Sequence, residues 1–147
     1  MTGATEPSRR LLLLDTHVLI WLTDGSRQLG GESKEALQLA YREDRALISA
    51  ITPWEIALLV RKGRLKLGRD VLDWVRHALD VPGVHLAALE AEIAVDSTRL
   101  PWETHGDPAD RILVATARHL GATLVTADTA LLEFARQGYF VGMDATV

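Results

Sequence analysis

Short apolar runs of strand length alternate with helical patterns along almost the whole chain, and this alternation constrains the fold most. The run Leu11–Leu14 is continuously apolar, which is typical of a parallel strand covered on both faces. Further strands are predicted at Ala46–Ala50, Val84–Leu86, Thr123–Thr126 and Tyr139–Gly142. Helices are predicted from Thr16 to near Gly25, from Thr52 onward, and over Glu32–Glu43, Arg69–Leu79, Glu90–Leu100, Asp107–Gly121 and Asp128–Arg136. The pattern predicts an α/β fold, a single three-layer domain whose mainly parallel, twisted sheet is flanked by helices.

The composition is that of a folded protein with a substantial core. The length of 147 residues suits one domain, and we expect a flexible leader at residues 1–10 before a domain at residues 11–147. The chain is 48% hydrophobic and 24% charged, which excludes a disordered, collagen-like or coiled-coil protein. It has no cysteine, so thiolate metal sites are excluded and a reducing cytoplasm is the expected location. Asp15 and His17 interrupt the first apolar segment, so neither a membrane span nor a secretory signal is predicted.

Acidic residues recur where the predicted strands end. Asp15 ends the first strand, Asp128 follows the fourth, and Glu55 lies in the first turn of the helix after the second strand. Asp107 and Asp110 begin the helix that precedes the fourth strand. Because the ligand crevice of a parallel sheet lies outside the carboxyl ends of its strands, Asp15, Glu55, Asp110 and Asp128 are expected to converge there.

Each acid also has a purely structural interpretation. Glu55 can complete a capping box with Thr52, and Asp107 can cap the helix that Pro108 opens. Asp110 can be stabilised by the helix dipole, and the two acids that follow strands can bond nearby backbone. As a group, however, the carboxylates would repel one another unless a cation lay between them. Oxygen ligands suit Mg²⁺ or Mn²⁺, and the net charge of −4 is compatible with such a site. The chemistry that fits is metal-assisted hydrolysis of a phosphate ester.

Four segments carry a family resemblance: LLLDTHVLIWL (12–22), SAITPWEIALLVRKGRLKL (49–67), LPWETHGDPADRILVATA (100–117) and LVTADTALL (124–132). In their order and spacing they resemble the PIN-domain ribonucleases and, among these, the VapC-type toxins of bacterial toxin–antitoxin pairs. The resemblance extends from about Leu11 to the end of the chain. The acidic positions of the family fall on Asp15, Glu55, Asp110 and Asp128.

The resemblance implies an endoribonuclease that depends on Mg²⁺, or on Mn²⁺ as a substitute, and leaves a 5′-phosphate and a 3′-hydroxyl. Asp15, Glu55 and Asp110 would form the main metal cluster, with Asp128 as the fourth acid. Asp107, Arg111 and the hydroxyls of Thr16 and Thr126 are further candidates for supporting this site or contacting the substrate. Local backbone bonds for the two threonines, and an ion pair between Arg111 and Asp107, are the structural alternatives. The implied partners are RNA, a VapB-type antitoxin in a hetero-oligomer, and a second copy of the chain in a homodimer.

Two other functions are weighed against this one. A phosphotransfer domain that forms an aspartyl phosphate is disfavoured, since Asp15-Thr16-His17 lacks a second acid and no lysine follows Lys66. A catalytically inactive PIN-like module that binds RNA or protein would have no reason to retain four mutually repelling acids.

Two further features have competing interpretations. Trp21, Trp54 and Leu58 fall at helical spacing, and both tryptophans are interpreted as core residues rather than as surfaces for base stacking. The basic stretch from Arg61 to Arg69 is either a solvated turn or a contact for RNA phosphates.

Overall fold

The computed structural model of the protein describes residues 9–101 and 106–147, so most of the predicted leader lies outside the described residues. The strands within these ranges are β1 (Leu12–Leu14), β2 (Ala46–Ser49), β3 (Val84–Ala87), β4 (Thr123–Thr126) and β5 (Val141–Asp144). The helices are α1 (Thr16–Asp24), α2 (Gly31–Arg42), α3 (Ile51–Arg61), α4 (Val71–Leu79), α5 (Ala91–Ser97), α6 (Pro108–Leu120) and α7 (Thr129–Arg136). None of these helices is both long and apolar enough to cross a membrane.

The strands form one parallel sheet in the order β3-β2-β1-β4-β5, so the predicted parallel α/β architecture is confirmed. In register, Leu14 of β1 lies beside Ile48 of β2 on one side and Val125 of β4 on the other. The chain winds outward from β1 through β2 to β3, and then returns to β4 on the other side of β1. The strand order therefore reverses between β1 and β4, and a crevice opens at such a point, outside the carboxyl ends of the strands.

Alternate residues of β1 enter two hydrophobic cores, one on each face of the sheet. Leu12 and Leu14 pack with residues of α1, α2 and α4 in the first core. Leu13 points to the opposite face and packs with residues of α6 and α7 in the second. All three leucines are buried, which explains why the strand is apolar at every position. This central strand ends directly at Asp15 and thereby fixes the position of that carboxylate.

Several element boundaries differ from the sequence prediction, most clearly those of the last strand and of α5. The last strand begins at Val141 rather than at Tyr139, because the preceding aromatic residues pack instead of pairing. Phe134 of α7 stacks on Tyr139 with ring centroids 4.2 Å apart and also faces Phe140. Helix α5 ends at Ser97 rather than at Leu100.

Candidate active site

Asp15 lies at the end of β1 with only 8% of its surface exposed. It is the N-cap residue of α1, but its side chain does not cap the helix. Instead its Oδ2 accepts a hydrogen bond of 2.6 Å from the hydroxyl of Thr126, at the end of β4. Burial raises the pKa of Asp15, and this hydrogen bond offsets part of the rise. A buried carboxylate that does not cap its own helix is available for another role.

Glu55 belongs to α3, and the capping box predicted for it with Thr52 is wrong. The helix begins at Ile51 and its N-cap is Ala50, so Thr52 already lies inside the first turn. Pro53 is accommodated there because the first turn of a helix has backbone N–H groups without partners in the helix. The side chain of Glu55 is consequently directed towards other elements of the fold.

The partner of Glu55 is a threonine on α1. The hydroxyl of Thr16 donates a 2.5 Å hydrogen bond to Oε1 of Glu55 and lies 3.3 Å from the hydroxyl of Thr52. Burial and, to a smaller extent, the negative charges of Asp15, Asp110 and Asp107 together raise the pKa of Glu55 to about 7, although the Thr16 bond lowers it. Because these charges act on Glu55, the acids that follow β1, lie on α3 and begin α6 belong to one site.

Asp107 and Asp110 lie together at the start of α6. Asp107 caps this helix, since its Oδ1 accepts bonds from the backbone N–H groups of Ala109 at 2.9 Å and of Asp110 at 3.4 Å. The predicted capping role is confirmed, and it places Asp110 in the first turn, where a carboxylate is favoured by the helix dipole. Arg111 donates through Nε to the carbonyl oxygen of Ser97 at 2.9 Å, which ties α6 to the end of α5.

Asp128 caps α7 by accepting a 3.0 Å bond from the backbone N–H of Leu131 at Oδ1. Its own backbone N–H donates to the hydroxyl of Thr126 at 3.1 Å. The same threonine therefore bonds both the carboxylate of Asp15 and the backbone of Asp128. It connects the acids that follow the two strands at the point where the strand order reverses. The charge of Asp128 also contributes to the raised pKa of Asp15.

The sequence profile of the PIN domain matches residues 12–137, which is most of the chain. The chain belongs to the PIN-domain family. This PIN domain is also 32% identical over 120 residues to Ribonuclease VapC22 of Mycobacterium tuberculosis, in an alignment that covers 82% of the chain and 88% of that relative. The resemblance to VapC-type proteins that its motifs indicated is confirmed.

Solved structures share the fold over nearly their whole length. One is the crystal structure of VapBC2 from Rickettsia felis bound to a DNA fragment from the promoter, with a TM-score of 0.67 and 18% identity over 91% of the PIN domain and 98% of that chain. Another is FitAcB from Neisseria gonorrhoeae, with a TM-score of 0.62 and 26% identity over 92% and 98% of the two chains. A toxin–antitoxin complex from Klebsiella pneumoniae gives a TM-score of 0.60 at 24% identity, over 91% and 97%.

The donor chemistry of the PIN domain's acidic site fits a magnesium or manganese ion, because the facing groups are carboxylates and hydroxyls. As the side chains stand, residues 9–101 and 106–147 contain no group of three or more acidic or histidine side chains that could hold a metal ion. The hydrogen bonds above direct several of the carboxylate oxygens to other partners. Asp107 and Asp128 each direct one oxygen to a helix terminus, and Asp15 and Glu55 each accept a threonine hydroxyl. The acids of the site repel one another, and a cation bound between them would reduce this repulsion.

Two residues of the PIN domain differ from their interpretation in the sequence. Trp54 was predicted to be a core residue, but it is 54% exposed, and the prediction is wrong. Trp21 is partly buried against the first core, as expected. Thr52 was interpreted only as a cap, whereas its fully buried hydroxyl contacts Thr16 beside Glu55. The spacing of Thr52 and Glu55 was the available signal for this role, since residues three apart lie on neighbouring parts of a helix surface.

Proposed function

We propose that this PIN domain is a divalent-metal-dependent endoribonuclease and the toxin of a type II toxin–antitoxin pair. The observation that carries the proposal is the electrostatic coupling of Glu55 to Asp15 and Asp110 at the carboxyl ends of the parallel strands. Relatedness supports the same activity, since a relative at 32% identity is named a ribonuclease. Hydrolysis of a phosphodiester is the reaction for which such a group of acids has an evident use.

Asp15, Glu55 and Asp110 would hold the ion, with Asp128 as a fourth acid. When bound, Mg²⁺ or Mn²⁺ would lower the pKa of a water molecule and neutralise charge that develops on the phosphate. Thr126 and Thr16 orient the carboxylates of Asp15 and Glu55 through their hydroxyl groups. Such fixed hydrogen bonds reduce the freedom that the carboxylates would lose on binding a cation.

Asp107 and Arg111 support the site by holding the start of α6 in place, rather than by contacting the reacting phosphate. The cap formed by Asp107 fixes the first turn, which carries Asp110. The bond from Arg111 to Ser97 fixes the direction of the same turn relative to α5. Correct placement of Asp110 therefore depends on both side chains.

The activity is tested by incubating the purified chain with total RNA in the presence of Mg²⁺, Mn²⁺ or EDTA and mapping the ends of the products. We expect cleavage with either metal and none in EDTA, with 5′-phosphate and 3′-hydroxyl ends. Asp15→Asn should abolish cleavage, because it removes a carboxylate charge while preserving size. Asp24→Asn, at the exposed end of α1, is the matched control and should cleave as the wild type does. Equal cleavage by Asp15→Asn and wild type would refute the proposal.

The partners that we propose are RNA as the substrate and a VapB-type antitoxin as the inhibitor, in the cytoplasm and without a membrane. Similar solved structures support an antitoxin partner, since they include a VapBC complex and a toxin–antitoxin complex. We also propose a homodimer that forms a hetero-oligomer with the antitoxin. Light scattering of the chain alone, and then with the product of a neighbouring short reading frame, tests both assemblies. A monomer in both samples would contradict them.

A further inference from the structure

Helix α3 presents a large apolar side chain to solvent. Trp54, Ala57 and Arg61 are exposed and spaced by three and four residues, so they form one stripe along the helix. Thr52 and Ile56 occupy the opposite, buried face. A tryptophan buries a large area when it finds a partner, and within the described residues the Trp54 ring stacks on no other aromatic side chain. Within residues 9–101 and 106–147, the stripe is therefore a surface without a partner.

The same helix leads into a concentration of positive charge. The exposed side chains of this basic turn are Arg61, Lys62, Arg64, Lys66 and Arg69. None of them makes an ion pair or a side-chain hydrogen bond to another residue in the described part of the chain. No acidic residue lies between Glu55 and Asp70 in the sequence, although the protein as a whole carries a net charge of −4. The helix dipole favours cations at the end of α3, which explains Arg61 and Lys62 but not the cations beyond them or the exposed tryptophan.

The stripe begins beside the carboxylate site. Trp54 immediately precedes Glu55, so their side chains leave the helix about 100° apart. Half-buried Leu58 lies between them on the helix surface, one turn further along. From Trp54 to Arg61 the helix rises about 10 Å, which matches about three stacked nucleotides.

We propose that the stripe and the basic turn bind single-stranded RNA, with a base stacked on Trp54 and phosphates held by Arg61, Lys62 and Arg64. The inference rests on the proposed function and specifies how the substrate approaches the acids. Proteins that bind single strands combine aromatic stacking surfaces with a positively charged track, and here both lie on one helix and its following turn. The cations also offset the repulsion between RNA and the acidic site, which would otherwise oppose binding.

Binding is measured by fluorescence anisotropy with a 5′-fluorescein-labelled oligoadenylate 12-mer in EDTA, so that metal-dependent cleavage does not interfere. We expect Trp54→Ala to weaken binding by about 5- to 150-fold, the range for loss of one stacked base. Trp54→Phe should retain most of the affinity, because a ring remains. Leu120→Ala removes an exposed apolar side chain at the far end of α6 and should bind as the wild type does. Equal affinities for Trp54→Ala and wild type would overturn the proposal.

The cations are tested through the salt dependence of the same binding. Replacing Arg61 and Arg64 together by glutamine should reduce the slope of log affinity against log salt by about 1.4, which corresponds to two phosphate contacts on a single strand. The matched double variant replaces the exposed Arg27 and Arg76 and should leave the slope unchanged. An equal effect of both double variants would mean that only the overall charge matters, and the proposed track would be wrong.

Two further outcomes separate this inference from the proposed function. If Trp54→Ala binds the 12-mer normally but changes the oligomeric state by sedimentation, then the stripe is a protein interface and the inference fails. If the wild type cleaves RNA with Mn²⁺ and Trp54→Ala cleaves it with an unchanged KM, the inference fails while the nuclease activity stands. If the wild type cleaves nothing but Trp54→Ala loses binding, the RNA surface stands and the nuclease activity fails.

Discussion

Single hydrogen bonds decide how the acids of the site are held. The hydroxyl of Thr16 has one proton, which it donates to Glu55, so in its 3.3 Å contact with Thr52 it can only accept. Thr52 is therefore the donor, and the bonds run in one direction from Thr52 through Thr16 to the carboxylate. Both threonines are fully buried, which excludes water as a competing partner. Thr52 is a positioning residue that acts on Glu55 through Thr16.

Because the bonds run in this direction, removing either hydroxyl should weaken the binding of Mn²⁺, but to different degrees. Isothermal titration calorimetry measures this affinity. Thr16→Val should weaken binding by about 10- to 100-fold, the usual result of losing a bond to a metal ligand. Thr52→Val should cause a smaller loss, because it frees only the second bond, and Thr52→Ser should restore the affinity. Unfolding in urea shows whether either valine variant has lost stability instead. Wild-type affinity in Thr52→Val would contradict the positioning role.

Glu55 predicts a stability that depends on pH in the absence of metal. Burial raises its pKa from 4.5 to about 7, so the folded state binds the proton more tightly than the unfolded state does. The stabilising contribution is present below pH 4.5 and is lost as the pH rises to about 7. The glutamine in Glu55→Gln does not titrate, so this variant does not lose that contribution. The difference in free energy of unfolding between the variant and wild type should therefore rise from pH 4.5 to pH 8. The expected gain is on the order of 1 kcal/mol after allowing for solvent screening.

Urea denaturation in EDTA at the two pH values measures this gain. Glu35→Gln, on an exposed part of α2, is the control for replacing a glutamate without disturbing the site. A difference between Glu55→Gln and wild type that is the same at both pH values would mean that the proton of Glu55 is not linked to folding.

At the scale of elements, two variants of Asp107 distinguish its capping of α6 from the negative charge that it adds to the site. Asp107→Ala should lower the free energy of unfolding by about 1 kcal/mol, because two backbone N–H groups lose their acceptor. Asp107→Asn should stay close to wild type, since asparagine caps as well as aspartate does. Urea denaturation in EDTA measures both variants. Equal destabilisation by alanine and asparagine would show that the charge, not the cap, is what α6 requires.

Elements whose signals are local were predictable from the sequence. Strand β4 has the predicted bounds Thr123–Thr126, and α6 begins after its capping aspartate and ends before Gly121. Helix α2 lies within one residue of its predicted bounds, but its N-terminal hydrogen bonds were not predictable, because its N-cap Gly30 has no side chain to offer. The backbone N–H groups of Gly30 and Ser33 donate instead to the carbonyl oxygens of Ala145 and Val147. A bond between segments more than 100 residues apart leaves no local pattern to detect.

The face of α3 was not predictable for a different reason. From Ile56 to Val60 the helix is apolar at every position, so periodicity cannot select which side is buried. Only the packing of α3 against α1, α4 and α6 selects the side that carries Thr52 and Ile56. Trp54 then points outward, because it lies two residues, or about 200°, from Thr52. The same packing turns the capping box that the sequence suggested into a contact with Thr16.

At the scale of the whole molecule, the fold and the acidic site make opposite contributions to stability. The two cores on either side of the sheet are apolar and contain none of the acids. The acids are brought together from positions as distant as Asp15 and Asp128 by the parallel order of the strands. Their convergence follows from the topology, which is why their positions at strand ends could be recognised from the sequence while their hydrogen bonds could not.

The last prediction is that a divalent ion stabilises the protein without being needed for folding. In EDTA the chain should stay folded by circular dichroism, because its cores do not include the site. Mn²⁺ at 100 times its Kd should stabilise the folded wild type by about 2.7 kcal/mol and thereby raise its Tm. Asp15→Asn should have at least the Tm of the wild type in EDTA, since burial raises the pKa of Asp15 and its charge therefore costs stability. It should gain little from Mn²⁺, whereas Asp24→Asn should gain as much as the wild type. Unfolding in EDTA would mean that the fold requires the ion. A loss of several kcal/mol in Asp15→Asn would mean that the carboxylate itself holds the fold together.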